Sequence, residues 1–304
     1  MFKILKAALG AAFLLASHPV FAEPKSETYK DIIEKAYNLS LQRDRQQALN
    51  ILTAAIARET RPQAQGELKK AALDVSHIFF IDKAQQLFET AVSLRKNDLA
   101  QAITKLNEAQ RIEPDNIAIM IELSRLLMAK GDCSGALDLL TKSLKFITFD
   151  EELRLTYAQA QVCQNQWLEY LKFYDPKEIT KSPLQKFWLA LEVEHLAKVK
   201  NTLKAQEILS GLKKVDTKYP EVSYWSWKLT QGLKAPNLDD AQKYVMTCKN
   251  ISASQYRQYM IDPMLCRRVL EVEGEIKGMS ANACLLYTSP SPRDLSTSRM
   301  PSSA

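Results

Sequence analysis

Cysteine and histidine are the side chains of this 304-residue chain with the most reactive chemistry, and both are scarce: five Cys and three His. An odd thiol count does not close into pairs. Cys284, however, falls in a C-terminal stretch of different character, and setting it aside leaves Cys133, Cys163, Cys248 and Cys266, which allow three pairings. His77 and His195 are the histidines beyond the first 22 residues, and both fall within helical patterns. His195 has Glu192 and Glu194 beside it, but no second His stands at ligand spacing. One imidazole among helix-surface carboxylates is a weak metal signature, and a solvated or packed His accounts for it. No Gly-x-Ser-x-Gly, Walker loop, His-Glu-x-x-His or Cys-x-x-Cys is present, so no catalytic residue, metal or cofactor is assigned. The carboxylate pairs Glu151-Glu152 and Asp239-Asp240 sit where helices should start, facing the positive end of the dipole.

The elements that must position these residues are helical. Only 8 Gly occur, which argues against the phosphate-cradling loops of nucleotide-binding folds. The formal charge of +6 is partly carried by the two ends and otherwise dispersed, too weak a signal for nucleic-acid binding. Residues 1–22 read as a secretory signal: Lys3 and Lys6 at the start, an apolar run Ala7–Ala16, Pro19, and Val20-Phe21-Ala22 as the cleavage site. That run is shorter than the twenty or so apolar residues of a membrane span, and no comparable run follows. The expectation is an exported chain with no transmembrane segment, periplasmic or secreted after cleavage near Ala22.

Two consecutive stretches, 84–116 and 117–150, carry the same pattern with their key small residues, Ala102 and Ala136, thirty-four positions apart. In the second, Met120, Leu123, Ser124 and Leu127 make one helical face, Gly131-Asp132 break it, and Ala136, Leu140 and Ser143 begin another. In the first, Leu87, Ala91 and Leu94 precede Asn97-Asp98, and Ala102, Leu106, Ala109 and Pro114 follow. Both resemble the tetratricopeptide repeat (TPR). Small residues at Ala102 and Ala136 let paired helices approach, and large ones four positions on fill the space between them. The period continues in weaker form through Tyr170, Ala205 and Ala241, at spacings of 34, 35 and 36. The resemblance implies an all-α fold, a right-handed superhelical solenoid of TPR-like helix pairs over residues 23–283.

A first pair precedes the clear repeats, with Ile32, Ile33, Ala36 and Leu39 on one helix and Ala48, Leu52 and Ala55 on the next. Residues of about 65–96 keep helical periodicity with no Pro or Gly after Gly66, which predicts one unusually long helix. Its most apolar stretch, Ile78-Phe79-Phe80-Ile81, would either pack on the first pair or serve as a docking surface. Aromatic residues gather in the later half. Trp188 and Trp227 fall on core faces, and Trp225, on the opposite side of its helix from Trp227, is the candidate for exposure. Residues 284–304 lose the helical period, turn rich in Ser and Pro, and resemble a translated sequencing adapter; the natural chain is expected to continue past Ala283.

In tetratricopeptide repeats the first helices line a concave groove, and carrying those positions across gives Phe88, Val92, Ile121, Arg125, Leu155 and Gln159. The apolar members would supply burial, while Arg125 and Gln159 would orient a peptide backbone or carboxylate. The implied partner is a protein or peptide. The repeat register also brings successive interhelical turns together on one edge, which pairs Cys133 with Cys163. A return of the chain after Cys248 pairs it with Cys266, in an oxidising compartment. The functional expectation is an exported, non-enzymatic scaffold in the cell envelope. Two other classes share these features: the superhelical arm of a larger cell-wall-active enzyme whose catalytic domain lies beyond Ala283, and a self-assembling structural scaffold.

Overall fold

The computed structural model describes residues 27–145, 147–166, 170, 172, 175–231 and 237–288. The stretch 1–22 expected to be a leader and residues 289–304 lie outside them. All the regular structure among the described residues is helical, in fifteen helices: α1 Tyr29–Leu41, α2 Arg45–Arg58, α3 Pro62–His77, α4 Asp82–Leu94, α5 Leu99–Ile112, α6 Ile117–Lys130, α7 Cys133–Leu144, α8 Glu151–Cys163, α9 Pro176–Ile179, α10 Gln185–Lys198, α11 Thr202–Val215, α12 Pro220–Lys228, α13 Leu238–Asn250, α14 Ala253–Tyr259 and α15 Val269–Thr288. No helix among them is long and apolar enough to cross a membrane.

Successive helices pair: α1 with α2, α4 with α5, α6 with α7 and α10 with α11 through short turns, and α12 with α13. The first helices α6, α8, α10 and α12 also pack one on the next, forming an inner row. Four of the second helices, α2, α5, α7 and α11, begin with the same device. The side chains of Asp44, Asp98, Asp132 and Asn201 accept the backbone N–H three residues on, satisfying a donor the helix leaves free. The fourth residue after each of these caps is Ala48, Ala102, Ala136 or Ala205, and all four are fully buried, as are Tyr170 and Ala241 at the two remaining positions. Burial on the second helices is confined to one stripe, such as Ala136, Leu140 and Ser143 on α7. The opposite side is left to solvent. The inner row is different. In α12 every residue from Pro220 to Trp227 is buried, and α6 buries ten of its fourteen.

The long helix expected over about 65–96 is two helices. The chain leaves helical geometry at Ile78–Ile81, between α3 and α4. The break is imposed from elsewhere in the sequence: one Glu113 carboxylate oxygen accepts the backbone N–H groups of Phe80 (2.7 Å) and Ile81 (2.8 Å), and Asn116 donates to the carbonyl of Ile78 (3.1 Å). Arg45, wholly buried, donates to the carbonyls of Val75 and Ile78, pairs with Glu113 at 2.7 Å and lies 4.3 Å from the Phe80 ring centre. These polar groups satisfy the backbone that a continuous helix would have satisfied internally. Burial opposes the ionised form of Glu113, but bonds from Arg45, Asn116, Ile81 and Phe80 outweigh it and hold its pKa below the ordinary value.

Two further expectations change. Trp225 is buried, not exposed. The backbone stays helical to Thr288, five residues past the boundary placed at Ala283.

The residue before three of these caps takes left-handed backbone, Arg43 (φ 63°), Gly131 (φ 95°) and Lys200 (φ 61°), and Asn165 (φ 60°) does so after α8. Only Gly131 is free of the steric penalty this region sets for side chains. Lys200→Gly is therefore expected to stabilise the chain by about 0.5–1 kcal/mol, the left-handed penalty less the added chain entropy of glycine. Urea unfolding measures it, and a loss of stability would mean that the backbone is not left-handed there.

Candidate functional site

The inner row is the surface on which a concave groove was expected, and the chain's own later part covers it. After α13 the chain returns as Ile251–Arg268, which includes α14, and crosses from α12 back to α4. Lys96 donates to the carbonyl of Ile251 (3.0 Å), Gln159 to that of Ile261 (3.3 Å) and Arg95 to that of Asp262 (3.2 Å), while Arg267 donates to the carbonyl of Arg95 (2.9 Å). At the other end Cys266 N–H donates to Glu221 (3.2 Å) and Arg268 pairs with Glu221 (2.7 Å). Tyr219 donates its hydroxyl proton to Asp262. The return segment is therefore held to α4, α8 and α12 by hydrogen bonds along its length.

Burial corrects four of the six groove positions. Ile121, Arg125, Leu155 and Gln159 are buried, Gln159 against the return segment and Ile121 in an apolar cluster that includes Ala36, Leu49 and Leu68 of α1, α2 and α3. Arg125 pairs with Glu152 (2.7 Å), donates to the Thr156 hydroxyl (3.1 Å) and lies 3.8 Å from Glu122. Its charge is spent inside the protein. A parallel contact joins Arg95 to Glu122 at 2.7 Å. Gln159 gives its amide proton to the return segment rather than to a ligand.

Phe88 and Val92 are the two that reach a cleft. A groove of about 650 Å³ runs between α4 and α14, lined by Phe88, Val92, Lys96, Tyr256, Arg257 and Met260 among others. Phe88, Val92 and Met260 are half-buried; Lys96 and Arg257 are exposed at its edge, with Glu89 the acid of the lining. The Phe88 ring rests against Phe79, 5.3 Å between centres. Residues from α4 were within reach of the repeat pattern. The opposite wall, Tyr256 to Met260, was not, because it comes from a segment outside the repeats.

The cysteines pair as the repeat register implied. Cys133, the first residue of α7, is joined to Cys163, the last of α8, with Cα atoms 5.7 Å apart. Cys248 near the end of α13 is joined to Cys266, 5.4 Å apart. Cys266 lies in the return segment with left-handed backbone (φ 57°), outside the helices. The second disulfide thus ties the covering segment to the helix pair it leaves.

His77 contacts Asp150 at 2.7 Å, bridging α3 to the cap of α8. His195 is buried, its ring 5.2 Å from that of Tyr170, and burial lowers its pKa. Tyr170 donates to Glu192 at 2.5 Å, and burial nonetheless holds the Glu192 carboxyl above its usual pKa. Both histidines serve contacts between helices.

A family model for the tetratricopeptide repeat matches residues 93–160, from the end of α4 through most of α8. Among solved structures, a tetratricopeptide repeat protein from Parabacteroides merdae ATCC 43184 is similar, with 12% sequence identity and a TM-score of 0.42, over 77% of this chain and 98% of that one. No curated protein matches the chain.

The burial of Arg125 makes a measurable difference. Arg125→Glu would place a third buried or half-buried carboxylate against Glu122 and Glu152, and a loss of about 3–5 kcal/mol is expected in denaturant unfolding. A stability within experimental error of the wild type would return Arg125 to the surface and to a binding role.

Proposed function

We propose that this protein is an exported, non-enzymatic scaffold of the cell envelope. In this reading it binds a segment of a protein partner in the groove between α4 and α14. The observation that carries the reading is the groove itself: an apolar floor of Phe88, Val92 and Met260 beside the cations Lys96 and Arg257. Clefts with apolar walls and a few placed polar groups are the usual form of a ligand site, and helical grooves take amphipathic segments through apolar anchors three or four residues apart. Two cations against the single acid Glu89 favour a segment with a carboxylate next to its anchors. The tetratricopeptide character of residues 93–160 supports a scaffold. Two disulfides and the leader read in residues 1–22 support export, since such bonds persist in oxidising compartments.

Peptides selected from a random displayed library on the purified, oxidised full chain test the groove. Binders are expected to carry spaced apolar anchors and an acidic residue. Arg257→Glu should weaken them roughly tenfold, the loss of one charged contact, with the unfolding transition unchanged because Arg257 is exposed. Equal affinity for this variant and for Val92→Asp would remove the groove from the reading. Compartment is tested separately by peptide mapping under non-reducing conditions of protein isolated from its native host. Cys133–Cys163 and Cys248–Cys266 linked peptides are expected, and four free thiols would contradict export.

A further inference from the structure

A second cavity, of about 210 Å³, lies where the return segment meets the inner row, between α8, α10 and α12. Its charged lining is unbalanced. Glu194, Glu221 and Asp262 supply three carboxyl groups, and Lys198 and Arg268 two cations. The cations are already engaged: Lys198 with Glu194 at 3.0 Å, Arg268 with Glu221 at 2.7 Å and with Glu194 at 3.5 Å. The Arg268 guanidinium also sits 4.5 Å from the Tyr224 ring centre and 5.5 Å from that of Trp225.

Gln159 supplies an independent observation. It is 7% exposed and lines the same cavity; its amide nitrogen is satisfied by Ile261, but its Oε1 accepts no hydrogen bond from the protein. A buried acceptor without a donor is costly, and here it shares a cavity with more carboxyl groups than cations. Both features ask for the same thing, a positively charged hydrogen-bond donor. The remaining walls include Phe187, Leu191, Trp225 and Met264, apolar and aromatic surfaces that suit a short hydrocarbon stem and the face of a cation. No cluster of His, Cys, Asp and Glu among the described residues has the arrangement to hold a metal ion, which favours an organic cation.

We propose that this cavity is a binding site for a small organic monocation, a primary ammonium or guanidinium group on a short apolar stem, held by the Gln159 amide oxygen and the Glu221 and Asp262 carboxyl groups. Burial holds both of these carboxyl groups above the ordinary carboxylate range, despite the neighbouring Arg268, which is how acids respond when cationic partners are too few. The site is distinct from the groove between α4 and α14, and neither depends on the other.

Calorimetric titration of the oxidised full chain decides it, with butylammonium and butylguanidinium as probes and 1-butanol as the uncharged control. At least one cation is expected to saturate a single site roughly tenfold or more tighter than the alcohol. Glu221→Gln and Gln159→Leu are each expected to weaken that binding roughly tenfold. Three outcomes would overturn the proposal: no saturable cation binding below roughly 10 mM, equal binding of 1-butanol, which marks a merely apolar cavity, or full affinity in both variants. Should either variant fail to fold, the comparison of cation with alcohol on the wild-type chain still decides.

Discussion

Helices that are buried around most of their circumference must be covered on every side, and the inner row α6, α8, α10 and α12 imposes that requirement on everything else. Second helices such as α7 and α11 cover one side, using stripes of small and branched residues. On the other side an open tetratricopeptide array would leave a concave surface in water. Here Ile251–Arg268 fills that place, and its backbone carbonyls and N–H groups are met by side chains from α4, α8 and α12. An irregular segment can lie in the interior only when such partners exist.

Those partners are mostly arginines and carboxylates, and their arrangement repeats. Arg45 with Glu113, Arg95 with Glu122, Arg125 with Glu152 and Arg268 with Glu221 each place a guanidinium, buried or nearly so, at a join between helices that are not neighbours in sequence. Desolvating such pairs offsets most of their attraction, so their net contribution to stability is small. Their value lies in geometry: a planar fork of donors fits one arrangement of acceptors and penalises others. The break at Ile78–Ile81 illustrates this, since no local residue forbids a helix there and Arg45, Glu113 and Asn116 make the alternative better satisfied.

The sequence made the repeating part legible because its determinants are local. A turn, a small residue soon after it and the fixed spacing between such units located the second helices, and the same register located the Cys133–Cys163 disulfide. What could not be read was set by distance along the chain. Glu113 acts on Phe80 and Ile81 from more than thirty residues away, and Gln159 meets Ile261 across 102. One signal was nonetheless present. The sequence of α6 has hardly any polar side, and a first helix that is to line an open groove should have one. Reading α6 as buried all round would have placed Ile121 inside the protein.

Arrays of stacked helix pairs usually tolerate a change in length, because each pair touches only its neighbours and one more can be inserted without disturbing the rest. The return segment removes that freedom. Its bonds from Arg95 to Asp262 and from Arg267 back to Arg95 span 167 and 172 residues and close the array into a ring of contacts. Arg267 reaches the end of α4 while Arg268, next to it in sequence, pairs with Glu221 on α12, and these adjacent anchors set the number of pairs that fit between the two helices. Duplicating or deleting one pair would leave neighbouring residues unable to reach both, so this chain can change in its side chains and its outer faces but not in its repeat count.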